Sequence, residues 1–300
     1  MMLFTDNPLL QEMVTFTETI VRPPRPEERT SFFKVYETGI PNVDSLTFDG
    51  FSRWWNRSKI MGDLPTLWRV AVANDSIVGV AINAELGSLG WGIIWELAIA
   101  PEWRNKGVGT SLVQESERAL LARNPNLTHF SVGIKVHNTR AIPFWERLGY
   151  GIQGLVLRLD GSPSFPTSET SLELRIARLE DIPVLLRLNP DTYWGCQDQR
   201  SFEYSIRGGS CYTLIERDTS AIVGFVRFEH DNEAMDSTVL SFSYRPGFGR
   251  DVVNSALAEV STERAVLWSQ DKHEEIIDHL YANGFRRVEA EYLAKKRVPR

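Results

Sequence analysis

One stretch of the sequence, Glu96 to Thr110, joins an apolar strand to an amphipathic helix through a loop with two glycines. Gly107 and Gly109 allow the backbone to approach a ligand closely and to adopt angles closed to other residues. Successive N–H groups can then converge at the start of the helix, where the helix dipole adds partial positive charge. Arg104 and Lys106 add full charges beside the loop. The stretch therefore predicts a site for a phosphate-bearing ligand, and a pyrophosphate fits it best.

The loop follows neither of two common nucleotide-binding patterns. Its glycines are not followed by Gly-Lys-Ser or Gly-Lys-Thr, as in a Walker A loop, and their spacing is not that of Gly-x-Gly-x-x-Gly. Another class of phosphate-binding protein is indicated.

Strands and helices alternate around this loop. Apolar, β-rich runs bounded by turn residues predict strands at 67–73, 77–84, 91–100, 128–136 and 152–160. Helical patterns lie at 26–37, 48–60, 109–123 and 139–148. Asn74-Asp75-Ser76 is predicted as a hairpin turn. With a short strand near Ile20, the order is β-α-α-β-β-β-α-β-α-β, which is typical of an α/β fold with a mixed sheet.

The length of 300 residues predicts about two domains. The segment 161–171 is rich in Ser, Thr and Pro and predicts an exposed linker between residues 1–160 and 172–300. After it the pattern starts again, because Ile222-Val-Gly-Phe-Val226 resembles Ile77-Val-Gly-Val-Ala81. We expect the second domain to be a copy of the first.

The segment Asn138-Thr-Arg-Ala-Ile-Pro-Phe-Trp-Glu-Arg-Leu-Gly-Tyr150 lies about 30 residues after the glycine loop. Together with that loop and the element order, it resembles the GNAT superfamily of acetyl-CoA-dependent N-acetyltransferases over residues 18–160. The resemblance implies two tandem GNAT-like domains, acetyl-CoA as co-substrate and no metal. The cofactor-binding residues that it implies are Leu97, Ala98, Ile99, Arg104, Asn105, Lys106, Gly107, Val108, Gly109, Thr110, Asn138 and Trp145.

Each part of this set has an implied role. Leu97, Ala98 and Ile99 would pair with the pantetheine amides from a splayed strand, and one backbone N–H there would also polarise the thioester carbonyl. Residues 105–110 would hold the pyrophosphate, and Asn138 would hydrogen-bond the pantetheine arm.

The second copy departs from the pattern. Tyr244-Arg-Pro-Gly-Phe-Gly249 keeps both glycines but has Tyr244 in place of Arg104, and Pro246 removes one amide donor. His273 stands in place of Asn138. We therefore expect the C-terminal domain to be degenerate and without activity of its own.

Glu96 is the candidate catalytic residue. An amine attacks a thioester only when neutral, so a carboxylate that removes its proton helps at neutral pH. The alternative is that Glu96 pairs with a cation on a sheet face. Many family members have a tyrosine seven residues after the asparagine as general acid, but this chain has Trp145 there. A water or another residue acts instead, or the thiolate leaves unaided; Tyr150 is expected in the core.

Trp54 and Trp55 lie in the helix that, by resemblance, borders the acceptor site. A cationic amine could rest on their faces, but the simpler expectation is that one packs in the core and the other covers it. The acidic residues nearby are expected to be solvated: Asp44, Asp49 and Asp63.

Several classes of function are disfavoured. The net charge of −6 argues against nucleic acid, and no apolar run approaches the roughly 20 residues of a membrane helix. The start of the chain has no signal-peptide pattern, and only two cysteines, Cys196 and Cys211, favour a reduced, cytoplasmic setting. The histidines have no metal-ligand spacing. The basic residues at 295–297 and Arg300 are expected to form a solvated tail.

These observations predict an N-acetyltransferase that transfers acetyl to a primary amine of a small molecule by direct attack. Two alternatives stay open. One is a protein that senses acyl-CoA without turning it over. The other is a mycothiol-synthase-like tandem acetyltransferase, although in that family the working half is C-terminal whereas the intact loop here is N-terminal. The sequence does not identify the acceptor or the length of the acyl chain. A homodimer is compatible with it.

Overall fold

The computed structural model of the protein describes residues 19–40, 46–86, 90–163, 172–188, 199–230 and 237–299. The strands of the first half are β1 (Ile20–Arg22), β2 (Arg69–Ala73), β3 (Ser76–Leu86), β4 (Trp91–Ile99), β5 (His129–Lys135) and β6 (Gly151–Gly161). Its helices are α1 (Arg29–Gly39), α2 (Phe48–Ile60), α3 (Asp63–Thr66), α4 (Val108–Arg123) and α5 (Ile142–Arg147).

The second half repeats this order. Its strands are β7 (Leu172–Ile176), β8 (Cys211–Glu216), β9 (Ile222–His230), β10 (Ser237–Tyr244), β11 (Arg264–Gln270) and β12 (Arg286–Arg297). Its helices are α6 (Ile182–Leu185), α7 (Gln199–Arg207), α8 (Gly249–Ala258) and α9 (Glu274–Ala282). The predicted α/β class with a mixed sheet is confirmed. Of the predicted linker, residues 164–171 lie outside the described part of the chain, as does Cys196.

The elements of the first half lie where the sequence predicts them. Helix α2 has the predicted bounds, and its start is capped by Thr47, whose hydroxyl accepts from the N–H of Gly50 at 3.1 Å. Asn74 and Asp75 have φ angles of 47° and 58°, as the hairpin turn between β2 and β3 requires. The four-residue α3 was not predicted, because one turn is too short to produce a periodic pattern.

All twelve strands form one sheet, in the order β1-β2-β3-β4-β5-β12-β6-β11-β10-β9-β8-β7. The last strand of each half therefore lies in the other half. Strand β12 pairs antiparallel with β5 on one side and β6 on the other, and β6 pairs antiparallel with β11. The two halves are joined by backbone hydrogen bonds through the middle of the sheet.

The hydrophobic core of each half also contains residues of the strand that it receives from the other half. Ala294 of β12 is buried in the core of the first half, among Phe32, Trp55 and Trp68. The β6 residues Leu157 and Leu159 are buried in the core of the second half. Each half thus needs a strand of the other to complete its own core.

The expectation of a solvated basic tail is wrong. Lys295 and Lys296 belong to β12, in the centre of the sheet. The ammonium of Lys295 lies 3.6 Å from the centre of the Trp91 ring, and that of Lys296 donates to Glu117. Their charged ends reach partners because long basic side chains bury their stems while the head remains polar. Arg300 lies outside the described residues.

Candidate active site

The site is centred on a gap between two parallel strands. Strands β4 and β5 pair only from Trp91 to Ile94 and from His129 to Val132, and beyond this point they separate. A cavity of about 990 Å³ lies at the opening. Because Leu97 to Ile99 pair with β3 on one side only, the other edge of β4 is open to a ligand. An extended molecule with amide groups can pair with such an edge.

The glycine loop has the geometry of an anion site. Asn105 and Gly107 have φ angles of 62° and 84°, and α4 begins directly afterwards, with no side-chain cap on its first turn. The first N–H groups of a helix have no partner within the helix, so they are available to an anion. Gly109 packs closely against Phe144, since a Cβ there would lie 3.3 Å from the ring. Asn105, Gly107, Gly109 and Thr110 all line the cavity.

The two basic residues of the loop behave differently. Arg104 lines the cavity and donates to the carbonyl oxygens of Gly39 at 3.0 Å and Ile99 at 3.3 Å. It therefore ties the loop to α1 and to the end of β4. Lys106 is exposed and lies 5.1 Å from the centre of the Trp103 ring, outside the cavity lining. Its charge can act on a ligand only from the rim.

Four further implied residues differ in what they present to the cavity. Leu97 and Ile99 line it. Ala98 is buried against α1, where a Cβ on Gly39 would come within 2.9 Å of it, and Val108 is buried beside Leu112. Ala98 and Val108 can therefore offer only backbone groups to a ligand.

Asn138 and Trp145 border the far side of the opening. The N–H of Asn138 donates to the carbonyl of Lys135 at 2.8 Å, which fixes the turn after β5. Trp145 is 5% exposed and packs edge to face on Tyr150, with ring centres 5.0 Å apart. Trp145 thus supplies an apolar wall.

Glu96 lies at a bulge in β4. The register with β3 skips Trp95, so that Glu96 faces Ile82 while Ile94 faces Asn83. The bulge lies where β4 leaves β5, and bulges redirect side chains next to active sites. Glu96 is half-buried and lines the cavity. The structure therefore brings the candidate base, the glycine loop and Asn138 to one opening.

Tyr150 lies in the core, as expected. It is 2% exposed, and its hydroxyl donates to the carboxylate of Glu117 at 2.9 Å. Burial, with the negative charge of Glu117, raises the pKa of Tyr150 far above its ordinary value. Since a ready proton donor needs a pKa near the working pH, Tyr150 is unsuited to act as a general acid.

The acceptor side of the cavity is aromatic and charged. Trp55 is 2% exposed and belongs to the core, whereas Trp54 lines the cavity beside Trp68. The expectation that Asp63 is solvated is wrong, because its carboxylate accepts hydrogen bonds from Arg123 at 2.9 Å and from Arg200 at 3.2 Å. Asp49 is exposed, and Asp44 lies outside the described residues.

The second half contributes to the same cavity, through residues that the sequence did not single out. Five lining residues come from strands β9 to β12: Arg227, Glu229, Val239, Trp268 and Glu291. Arg158, on the exchanged strand β6, also lines the cavity. Arg57 of α2 donates to both carboxylate oxygens of Glu229, at 3.0 and 3.2 Å, which closes the cavity between the halves. The available signal was an arginine between two apolar residues of a strand, as at Arg158 and Arg227.

The equivalent loop of the second half is filled by its own side chains. Gly247 has a φ of 92°, like Gly107. However, a Cβ on Gly249 would lie 2.7 Å from Ile276 and 2.9 Å from the ring of Tyr244. The ring that replaces Arg104 therefore packs over the start of α8.

The described part of the chain has neither a cluster of metal ligands nor a helix that could span a membrane. No group of three or more His, Cys, Asp or Glu side chains is placed to hold a metal ion. No helix in the described part of the chain has the length and apolar character needed to cross a membrane.

Comparison with known proteins agrees with this geometry. Residues 30–150 match the model of the acetyltransferase (GNAT) family. A GCN5-related N-acetyltransferase from Sphaerobacter thermophilus superposes with a TM-score of 0.64 at 16% identity, over 93% of this chain and 95% of its own. A similar protein from Kribbella flavida gives 0.57 at 13% identity, over 93% of this chain and 70% of its own.

A third solved structure has the same two-domain layout. A tandem GNAT protein from the clavulanic acid biosynthesis pathway gives a TM-score of 0.59 at 15% identity, over 94% of this chain and 100% of its own. No curated protein matches the chain. The chain therefore has the fold of these GNAT structures, and the match to the GNAT acetyltransferase family model lies within its first half.

Proposed function

We propose that this protein transfers an acetyl group from acetyl-CoA to the primary amine of a small molecule, by direct attack of the amine on the thioester. One observation carries the proposal: Glu96, Asn138 and four residues of the glycine loop line one cavity where β4 and β5 separate, the loop residues being Asn105, Gly107, Gly109 and Thr110. A carboxylate, an anion site and an open strand edge are the groups that this reaction needs.

The loop and the open strand fit the two ends of coenzyme A. The first turn of α4 would hold the pyrophosphate, with Arg104 adding positive charge. The free edge of β4 at Leu97 to Ile99 would pair with the pantetheine amides, and Asn138 would hydrogen-bond the same arm. The thioester would then lie in the gap, close to Glu96.

Glu96 would remove a proton from the acceptor amine, directly or through water, so that the nitrogen lone pair can attack the thioester carbon. A backbone N–H at the end of β4 would stabilise the oxygen that becomes negative. The carbon–sulfur bond then breaks and coenzyme A leaves as a thiolate, while the nitrogen, which became positively charged on attack, loses its remaining extra proton to water to give the neutral amide. Because a thiol has a pKa of roughly 8.5 by analogy with cysteine, the thiolate can leave without a tyrosine.

A second function is favoured by one specific observation. Trp145 stands where a proton donor is common in this family, and Tyr150 is buried with a raised pKa. A protein that binds acyl-CoA without turning it over needs no such donor.

The proposal includes a cytoplasmic location, where a thiol such as Cys211 stays reduced.

The test is the release of free thiol from acetyl-CoA with a panel of primary amines, together with mass spectrometry of the amines. Thiol release that needs both protein and amine, with an acetylated product, supports acetyl transfer. Calorimetric binding of acetyl-CoA without amine-dependent thiol release would support the sensor instead. No binding of acetyl-CoA would overturn both functions.

A further inference from the structure

The cavity does not end at the reacting centre but continues across the sheet into the second half. Paired residues on neighbouring strands share a face, and every second residue of a strand lies on the same face. Across β5, β12 and β6, Lys135 pairs with Glu291, which pairs with Val156. Arg158 lies two residues after Val156 on β6 and pairs with Trp268 of β11. These side chains therefore form one continuous floor, which begins beside the gap in the first half.

The floor extends further along the same face. Val239 pairs with Val266, which lies two residues before Trp268, and Glu229 pairs with Val239. Arg227 lies two residues before Glu229 on the same strand. Except for Val156 and Val266, all of these residues line the cavity.

Arg158 is the most informative residue of this floor. It is 8% exposed, yet it faces the cavity from the middle of the sheet. Its guanidinium carbon lies 5.9 Å from the centre of the Trp268 ring, and the ammonium of Lys135 lies 6.0 Å from the same ring. Two cations therefore lie about 6 Å from one indole, and water is largely excluded from the buried guanidinium, which strengthens its attraction for an anion.

The charges around this point favour an anion. Lys135 is paired with Glu289 and, at 3.4 Å, with Glu291, and Arg57 is paired with Glu229. Around the floor the cations Arg57, Lys135, Arg158 and Arg227 meet three carboxylates, those of Glu229, Glu289 and Glu291, so that one cation is in excess among the described residues there. A guanidinium stays charged at any ordinary pH and has five N–H donors, so Arg158 can keep a protein partner and still donate to a ligand. Arg227, 1% exposed, adds a second guanidinium deeper in the floor.

We propose that the acceptor amine carries an anionic group, a carboxylate or a phosphate, and that Arg158 binds this group on the floor shared by the two halves. The inference rests on the proposed function, since it describes the acceptor of that reaction. Strand β6 lies three strand spacings from β4, which is at least roughly 14 Å between the strand axes, since β4 and β5 separate beside Glu96. The anionic group therefore lies several bonds from the amine that reacts near Glu96.

The experiment compares matched amines. β-Alanine, 4-aminobutyrate and 6-aminohexanoate form a series of increasing length, and each is tested against its primary amide, which has the same shape without the charge. O-Phosphoethanolamine and 3-aminopropyl phosphate form the phosphate arm, and each is tested against its uncharged alcohol, ethanolamine or 3-aminopropanol. We expect kcat/KM of the wild-type protein to be at least about tenfold higher for the anionic member of a pair, as for a charged hydrogen bond. Whichever arm shows this preference identifies the anion.

The variants assign the preference to Arg158. Arg158→Gln should remove it by lowering kcat/KM for the anionic amines only, and Arg158→Lys should retain part of it. Arg118→Gln is the matched control, because it removes the same charge from an exposed position on α4 that is paired with Glu115. It should leave the preference unchanged. Binding of acetyl-CoA by each variant reports that the fold is intact.

The outcomes separate this inference from the proposed function. Equal acetylation of the charged and amide members, or a preference that survives in Arg158→Gln, would overturn the anion site while leaving acetyl transfer in place. If no amine is acetylated, the proposed function fails. Calorimetry with 6-aminohexanoate and 3-aminopropyl phosphate in the presence of coenzyme A then tests whether Arg158 binds an anion. Binding to the wild type but not to Arg158→Gln would support it, and no binding to the wild type would overturn it.

Discussion

The ammonium of Lys296 lies 2.8 Å from both carboxylate oxygens of Glu117, so the last strand of the chain is joined to a helix of the first half. The hydroxyl of Tyr150 donates to the same carboxylate at 2.9 Å. Glu117 therefore holds one residue of the exchanged strand β12 and one residue that directly precedes β6. Because the cavity needs residues from both halves, its shape depends on these strands staying in place.

Replacement of Glu117 by Ala should lower the free energy of unfolding by about 1–3 kcal/mol, because the buried hydroxyl of Tyr150 loses its acceptor. The measurement is urea denaturation followed by tryptophan fluorescence. Tyr150→Phe in the same background removes the unsatisfied hydroxyl and should recover part of the loss. Strictly additive effects of the two substitutions would show that the hydroxyl and the carboxylate do not interact.

Gly107→Glu should abolish the binding of acetyl-CoA measured by calorimetry. At a φ of 84° the position disfavours any side chain, and a carboxylate there would repel the phosphates. Gly284→Glu is a matched control, because Gly284 has a φ of 85° and equally open surroundings. It should bind acetyl-CoA normally.

Gly247→Glu tests the second loop in the same way. Its φ is 92°, and a Cβ there would meet nothing within 4 Å. If the second half is degenerate, as we propose from the packing of Tyr244, this variant binds acetyl-CoA with unchanged stoichiometry. A loss of half of the binding sites would mean that the second half also binds the ligand.

Glu96→Gln should lower kcat/KM by roughly 10²- to 10⁴-fold, the range for loss of a general base. The deficit should be largest at low pH, where the acceptor amine is protonated, and should shrink as the pH approaches the pKa of the amine. The measurement is kcat/KM against pH for both proteins, with acetyl-CoA binding as the control for folding. Parallel pH profiles would assign Glu96 to an ion pair on the sheet instead of to catalysis.

The ion pair between Arg57 and Glu229 should make stability fall in acid. Burial opposes ionisation of Glu229, but the charges of Arg57 and Arg227 outweigh it and hold its pKa below the ordinary value of 4.5. A lowered pKa in the folded state gives stability that is present above pH 4.5 and is lost as the pH falls through the folded pKa.

Arg57→Gln should therefore melt at a lower temperature at neutral pH and lose less on further acidification than the wild type. The measurement is the melting temperature between pH 3 and 7. Lys59→Gln, an exposed charge change on the same helix, should follow the wild-type curve. Equal acid sensitivity in Arg57→Gln and wild type would contradict a role for this pair.

Cys211 should resist alkylation in the folded protein. Burial raises the pKa of its thiol to about 11, so very little thiolate is present at pH 8. The measurement is iodoacetamide labelling followed by mass spectrometry in a Cys196→Ser background. Labelling should begin only when urea unfolds the chain, and rapid labelling of the native protein would contradict the burial.

The sequence predicted the first half of the fold well because its signals are local. The bounds of α2 follow from a cap and a helical period, and the hairpin at Asn74 and Asp75 follows from residues that tolerate positive φ. The loop with Gly107 and Gly109 could also be predicted, since a strand, two glycines and a helix are adjacent in the chain.

The basic residues of β12 mark the limit of such reasoning. Three charges near the end of a chain predict a solvated tail, but Lys295 and Lys296 lie in the central strands of the sheet. Strand pairing is decided by hydrogen bonds and side-chain contacts between residues far apart in sequence, such as Lys296 and Glu117. No local pattern encodes which neighbour a strand selects.

The sequence by itself therefore determined the class of fold, the position of the glycine loop that we propose to bind phosphate, and the candidate base at Glu96. Only the tertiary structure decided that the halves exchange strands and that Arg158 and Glu229 line a cavity with Glu96. The physical reason is that the loop depends on backbone angles and neighbouring N–H groups, whereas the cavity depends on the register of a sheet that brings residues more than 100 positions apart onto one face.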